Sequence, residues 1–276
     1  MTLEGWLETH PWLRPAASFF ARVEASAASL ESAGPEIPPW DDYRADFLAG
    51  IPLLQSRDAP LDSGPAGAIL DGLVGGLASD LSAGPFAEEI RAVHGIFRRD
   101  RDLPRRAVAW LLGDDSFTPP DPGLMRFLGW TAMRRYLVPL VTAFGAWRDE
   151  EGWLRRYCPT CGSAPAMAQL AGADPGRRRL LACGCCGTRW QFQRTECPFC
   201  ANDSQRLSAV TVDGEGGLRI DFCESCRGYL KTYDGQGNEA LLLSDWTSLH
   251  LDVIAADRGL KRAAASLYDF GSMLVR

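Results

Sequence analysis

Residues 157–163 read Tyr-Cys-Pro-Thr-Cys-Gly-Ser and residues 183–190 read Cys-Gly-Cys-Cys-Gly-Thr-Arg-Trp. Residues 197–200 follow as Cys-Pro-Phe-Cys, and residues 223–231 as Cys-Glu-Ser-Cys-Arg-Gly-Tyr-Leu-Lys. These four stretches hold all nine cysteines of the 276-residue chain. Eight of them form Cys-x-x-Cys pairs: Cys158/Cys161, Cys183/Cys186, Cys197/Cys200 and Cys223/Cys226. Between Cys161 and Cys183 lie 21 residues, between Cys200 and Cys223 lie 22, and corresponding cysteines stand 39 or 40 apart. The pattern is an internal repeat of two tandem four-thiolate metal modules.

The spacing follows from coordination chemistry. Two residues between thiols let one tight turn, a knuckle, aim both sulfurs at a single ion. A second knuckle, returned by a hairpin, completes a tetrahedron with metal–sulfur bonds of about 2.3 Å. The residue after the second cysteine of a knuckle often needs a left-handed backbone, which glycine adopts at least cost. Gly162 and Gly187 occupy that position, whereas Ala201 and Arg227 are less suited to it. Pro159 and Pro198 fix the first turn residue of two knuckles.

Other cysteine chemistries fit less well. The odd cysteine count argues against a secreted disulfide framework. No pair sits between a strand and a helix in a βαβ pattern, as a thioredoxin-type redox pair requires. Two separate knuckle pairs at this spacing suit single ions better than an iron–sulfur cluster. Tetrahedral thiolates accept both iron and zinc, so the sequence leaves the metal open. The ninth cysteine, Cys185, has three readings: a bystander thiol, a substitute ligand, or a reactive thiol beside a polarising metal centre.

The motifs Tyr157-Cys-Pro-Thr-Cys-Gly-Ser163, Cys183-x-x-Cys186-x-x-x-Trp190, Cys197-Pro-Phe-Cys200 and Cys223-x-x-Cys226-x-x-Tyr229-Leu-Lys231 resemble the formate dehydrogenase accessory protein FdhE. The order of a long helical region followed by two rubredoxin-like modules is similar too. The likeness is specific over residues 157–233 and architectural before them; Cys185 departs from the plainer family pattern. The resemblance implies a cytoplasmic bacterial protein needed for active formate dehydrogenase, one that binds the catalytic subunit rather than catalysing turnover. It also implies two metal ions, iron or zinc.

Composition agrees with a folded chain of two parts, with 46% hydrophobic residues. The start, Met1-Thr-Leu-Glu-Gly-Trp-Leu-Glu8, is acidic and reads as neither a secretory nor a transit signal. The most apolar run, residues 137–147, is shorter than a bilayer span and contains Pro139. The expectation is a cytoplasmic protein, in a compartment where thiolates persist as ligands. Residues 1–150 carry 14 basic and 21 acidic side chains, net −7, and residues 151–276 carry 15 and 14, net +1. All basic residues except Lys231 and Lys261 are arginine, a bias that gene composition explains.

Residues 1–150 read as helices separated by Pro/Gly breaks: 13–32, a helix opening at Asp41 and Asp42, 66–81, a restart after Gly84-Pro85, 103–112, and 123–147 with a kink expected at Pro139. Gly72, Gly75 and Gly76 suggest either close helix packing or a weak helix. His10, His94 and His250 are the only histidines, and each stands alone in the sequence. No catalytic constellation or phosphate loop is present, so the expectation is a helical scaffold and partner surface and no enzyme activity. The second half alternates knuckles with strands. Hairpins are expected around Gly172-Ala-Asp-Pro-Gly176, Asp213-Gly-Glu-Gly-Gly217 and Asp234-Gly-Gln-Gly237, the last pairing 229–233 with 240–243. A helix follows from Ser244-Asp245 to Gly259.

The expected fold is α+β: a helical domain over 1–150, a first rubredoxin-like or zinc-ribbon module over 151–195, and a second over 196–276 with a C-terminal helix. Two further function classes stand beside the accessory reading. A rubredoxin-like electron carrier needs iron and a reversible potential. A zinc-ribbon nucleic-acid binder is disfavoured by a pI of 5.2, although residues 177–179, Arg189 and Arg194 form a small basic cluster.

Overall fold

The Pro/Gly-punctuated stretches fold as helices and the glycine-cornered ones as sheet, giving the α+β architecture. The computed structural model describes residues 1–57, 60–80, 86–173 and 176–268. The expected break at Gly84-Pro85, the centre of the Gly172–Gly176 turn and residues 269–276 lie outside the described residues. The elements in chain order are α1 (Leu3–Thr9), α2 (Arg14–Ser29), α3 (Trp40–Ala49), α4 (Gly64–Asp80), α5 (Ala87–Arg99), α6 (Leu103–Leu111) and α7 (Pro122–Trp147). Strands β1 (Met167–Ala171), β2 (Arg178–Ala182), β3 (Arg189–Phe192), β4 (Leu207–Thr211), β5 (Leu218–Cys223) and β6 (Gly228–Asp234) follow. The chain then forms α8 (Glu239–Leu242), α9 (Leu249–Asp257) and β7 (Lys261–Arg262).

Contacts divide the chain into two compact units. The helical one comprises Arg14–Pro39, Ala59–Trp147 and Leu267–Arg276. In it α4 touches α2, α5, α6 and α7. Its glycines serve close packing: a Cβ on Gly67 would lie 3.0 Å from the Arg105 Cα of α6, and one on Gly76 would lie 3.1 Å from Ser26 Oγ of α2. Ile69, Leu70, Leu73, Val74 and Leu77 of α4 are buried, with Phe20, Val23, Phe97, Val108, Leu128 and Phe144 from its neighbours. Helix α7 is one element of 26 residues that runs through Pro139.

The other unit comprises Met1–Leu13, Trp40–Asp58 and Arg148–Ser266. A single cut near residue 150 therefore does not describe the division. The reason is local: the Leu53 and Leu54 amides donate to the Pro159 and Thr160 carbonyls at 2.9 and 2.8 Å. Phe47 stacks on Trp153 at 5.3 Å, and the Tyr157 hydroxyl donates to the Gly50 carbonyl at 2.8 Å. The first knuckle thus rests on α3 and the turn after it.

The strands form one sheet in the order β3-β2-β1-β6-β5-β4, with β7 beside β6. Each module contributes an antiparallel three-stranded piece, and the two join where β1 runs parallel to β6, Met167 opposite Lys231 and Leu170 opposite Asp234. β3 shows the expected alternation, with Trp190 and Phe192 buried. The 229–233/240–243 hairpin does not form: residues 239–242 are the helical turn α8. β6 already has β5 on one side and β1 and β7 on the other, which leaves no room for a returning strand.

Candidate metal centres

Each knuckle is closed by the backbone geometry that its spacing demands. In the first, the Gly162 amide donates to the Cys158 carbonyl at 2.9 Å and the Thr160 amide points at Cys158 Sγ at 3.4 Å. The third repeats this, Ala201 to Cys197 at 3.0 Å and Phe199 to Cys197 Sγ at 3.4 Å. In the fourth, Arg227 donates to Cys223 at 2.8 Å and Gly228 to Cys226 Sγ at 3.4 Å. The closing residues are left-handed throughout: φ is 79° at Gly162 and Gly187, 62° at Ala201 and 60° at Arg227. Ala201 and Arg227 therefore carry side chains where glycine fits best, a strain of about 1–2 kcal/mol each.

The knuckles meet in the order expected from the repeat. Cys158, Cys161, Cys183 and Cys186 gather into one group, and Cys197, Cys200, Cys223 and Cys226 into a second, all ligand atoms of a group within 4.8 Å of one another. Across the first group Cys158–Cys186 and Cys161–Cys183 sulfurs are 3.5 and 3.4 Å apart. Across the second, Cys197–Cys226 and Cys200–Cys223 are 3.8 and 3.7 Å apart. A tetrahedral ion with bonds of about 2.3 Å sets its sulfurs roughly 3.8 Å apart. The second group fits that figure and the first is slightly tighter. None of the nine cysteines is in a disulfide, and these separations far exceed the roughly 2.05 Å of such a bond.

Charge makes the same point. Four thiolates this close repel by about 5 kcal/mol per pair at an effective dielectric of 20. Burial and the neighbouring sulfurs push the Cys158 thiol well above its ordinary value. Burial opposes ionisation of Cys186 as well, yet hydrogen bonding to Cys158, Cys161, Cys183 and Thr188 draws it well below. In the second group burial pushes Cys197 up to about 12. Burial likewise opposes ionisation of Cys200, but the Asn202 amides and the Cys226 and Cys223 thiols bring it down to about 6. Cys186 and Cys200 are thus ready thiolates, and a divalent ion is what lets Cys158 and Cys197 join them.

Cys185 stands outside the first four-sulfur group; it is half-buried, with Ser163 Oγ 3.5 Å from its sulfur. The basic cluster is turned inward only in part, since Arg178 and Arg194 are exposed. Arg179 is buried and donates to the Gln193, Arg194 and Glu196 carbonyls at 3.3, 3.1 and 3.0 Å, tying down the segment between the modules. Arg177 pairs with Asp234 and Arg189 with Gln169. Two histidines that stand alone in the sequence do not stand alone in space: His10 and His250 meet at Glu215, within 4.8 Å. Separations of 35 and more residues hide that meeting from local pattern; a glutamate among the glycines of a hairpin tip is its one visible sign.

No protein-family model matches the chain. It is similar to an FdhE homologue of Pseudomonas aeruginosa, 32% identical over 174 residues, 58% of this chain and 54% of the relative. An FdhE homologue of Aquifex aeolicus is 29% identical over 130 residues, 45% of this chain and 46% of the relative. The FdhE protein of Escherichia coli is 28% identical over 145 residues, 51% of this chain and 47% of the relative. The chain spans about half the length of these curated relatives in each match. The crystal structure of the FdhE protein from Pseudomonas aeruginosa matches with a TM-score of 0.62 at 22% identity, covering 95% of this chain and 90% of that one, so the fold is shared. The resemblance to FdhE read from the cysteine motifs is borne out.

Proposed function

We propose that this chain is an accessory protein needed for an active formate dehydrogenase, and that it binds the catalytic subunit in the cytoplasm without catalysing turnover. Sequence likeness to FdhE proteins in a chain that also shares their fold carries this reading. In it, Cys158, Cys161, Cys183 and Cys186 hold one ion and Cys197, Cys200, Cys223 and Cys226 a second, iron or zinc. The ions give the small modules their shape, and the helical unit offers a partner surface. Among the described residues no helix is long and apolar enough to cross a membrane.

The test is capture from the native host. The chain, tagged and purified, should bring down a formate dehydrogenase catalytic subunit, and its deletion should abolish formate dehydrogenase activity. Normal activity in the deletion strain without capture would defeat the proposal.

A rubredoxin-like electron carrier is the second reading. Its support is the three backbone amides, of Thr160, Phe199 and Gly228, that point at cysteine sulfurs, since such bonds tune the potential of an iron–thiolate centre. Elemental analysis with a visible spectrum separates the two. A colourless, zinc-filled, redox-silent protein removes the carrier.

A further inference from the structure

Glu215 sits at the tip of the β4–β5 hairpin, where a carboxylate ordinarily faces water, yet it is 7% exposed. The backbone turns it inward. Gly214 and Gly216 on either side have φ of 85° and 61°. A Cβ on Gly216 would lie 2.9 Å from Met1 Cε and 3.2 Å from the Trp6 ring, so only glycine lets the tip press this close to α1. The inward carboxylate meets two imidazoles. His10, just past α1, places Nε2 3.4 Å from Glu215 Oε1. His250, on α9, places Nε2 2.7 Å from Glu215 Oε2.

Two partners flank His10 Nδ1. It lies 3.0 Å from the Trp6 carbonyl, to which it can donate, and 2.9 Å from Thr9 Oγ1, from which it can accept. The Trp6 carbonyl also stands 3.0 Å from Thr9 Oγ1 and 3.0 Å from the His10 amide. In the tautomer with the hydrogen on Nδ1, Nε2 turns a lone pair toward the Glu215 carboxylate, and an ion between them satisfies both acceptors. An imidazole whose far nitrogen is fixed by a backbone carbonyl is the arrangement that orients histidine ligands on metals. The buried Nδ1 of His250 has no hydrogen-bond partner among the described residues. A closed structural network would satisfy every such atom.

We propose that His10 Nε2, one imidazole nitrogen of His250 and a carboxylate oxygen of Glu215 bind a third ion, a divalent first-row transition metal, separate from the thiolate centres. Imidazole and carboxylate suit such ions, and bonds of about 2.1 Å place neighbouring tetrahedral ligands roughly 3.4 Å apart. The His10–Glu215 gap already has that width; the His250–Glu215 hydrogen bond opens by about 0.7 Å to match it. Three protein ligands leave a position for water or another small ligand. Trp12, 58% exposed, stands edge-on to both imidazoles at centroid distances of 5.3 and 5.8 Å, so the group lies just below the surface and within reach of an arriving ion. The site does not depend on the accessory reading, because its ligands and its test involve neither the partner nor the cysteines.

The experiment uses the full chain with both four-sulfur centres filled with zinc, and Co²⁺ as a paramagnetic probe. The three histidines give three sets of ring-proton signals. One equivalent of Co²⁺ should shift and broaden two sets and leave the third, identified as His94 by its loss in His94→Gln, unchanged. No thiolate-to-cobalt colour should develop, which shows that the zinc stays in place. Glu215→Gln should weaken Co²⁺ binding about tenfold or more while the two zinc ions remain. His250→Gln gives the same readout should Glu215→Gln fold poorly. An equal response of all three histidines, no response at millimolar Co²⁺, or unchanged affinity in a folded Glu215→Gln or His250→Gln would each overturn the site.

Discussion

Lys231, at the end of the Tyr229-Leu-Lys231 motif, offers a direct test of what holds β6 to the helix behind it. Its side chain is fully buried, with the ammonium 2.6 Å from Asp245 Oδ1 and 2.8 Å from Asp252 Oδ2. It also donates to the Asp245 and Ser248 carbonyls at 2.9 and 3.2 Å. Arg262 bridges the same two carboxylates at 2.6 and 2.9 Å, so two cations balance two anions. Lys231→Met keeps the bulk and removes one positive charge. The remaining group carries one net negative charge out of water, a loss of about 3–5 kcal/mol. Arg262 still touches both carboxylates and holds the value near the lower figure, while the two carbonyls that lose the ammonium each add up to about 1 kcal/mol; Ser248 Oγ still donates to the Asp245 carbonyl at 3.3 Å. For a unit of this size 1 kcal/mol moves Tm by about 2–4 °C, so the metal-loaded variant should melt roughly 6–20 °C lower by circular dichroism. Lys231→Met/Asp245→Asn restores neutrality and should recover part of that loss. A fall below about 2 °C for the single variant, or a double variant as unstable as the sum of its parts, would refute the charge-balance reasoning.

Other perturbations follow from the same geometry. Cys158→Ser and Cys226→Ser should each lower metal content by about one ion per chain; full retention in both, by elemental analysis, would contradict the ligand assignment. Because β1 and β6 are hydrogen-bonded neighbours, Cys158→Ser should also speed amide exchange at Thr232 and Tyr233, which independent modules would not show. Ala201→Gly relieves a left-handed alanine and should stabilise the second module by about 0.5–1 kcal/mol, whereas an unchanged or lower Tm would show that the turn is unstrained. Burial would raise the Asp245 pKa, but Lys231 and Arg262 hold it below the ordinary carboxylate value. Its contribution is present above about pH 4 and lost as pH falls below that, so acid unfolding should be shallower in Asp245→Asn.

The two four-cysteine groups were legible because their logic is local: two residues set each knuckle, and the repeat says which knuckles pair. Even the left-handed backbone at Ala201 and Arg227 could be read from Gly162 and Gly187 at the equivalent positions. The α4 glycines were legible as to kind, close packing being one of two readings, though not as to partner. What escaped the sequence depends on contacts between distant segments. The parallel β1–β6 pairing joins residues more than 60 apart with no turn to announce it. That pairing also overrides the Asp234-Gly-Gln-Gly237 hairpin signal, because tertiary neighbours already flank β6. Within the basic cluster, Arg179 is buried and clamps three carbonyls of the segment between the modules, a role that its neighbours in sequence do not announce. His10 and Glu215 are 205 positions apart, so no window of sequence brings them together.

The order in which the two repeats join has one more consequence. β1 and β4 are equivalent in the repeat, as are β3 and β6, so β1 beside β6 is a head-to-tail union. Such a union leaves an unsatisfied β4 rim at one end and a β3 rim at the other, mutually complementary and in principle able to continue from molecule to molecule. The chain prevents this at β3: Glu150 accepts the Gln191 amide and Arg148 donates to the Arg189 carbonyl. Two side chains just ahead of the first repeat stand in for the missing strand, and so end a polymerisation that the duplication would otherwise invite.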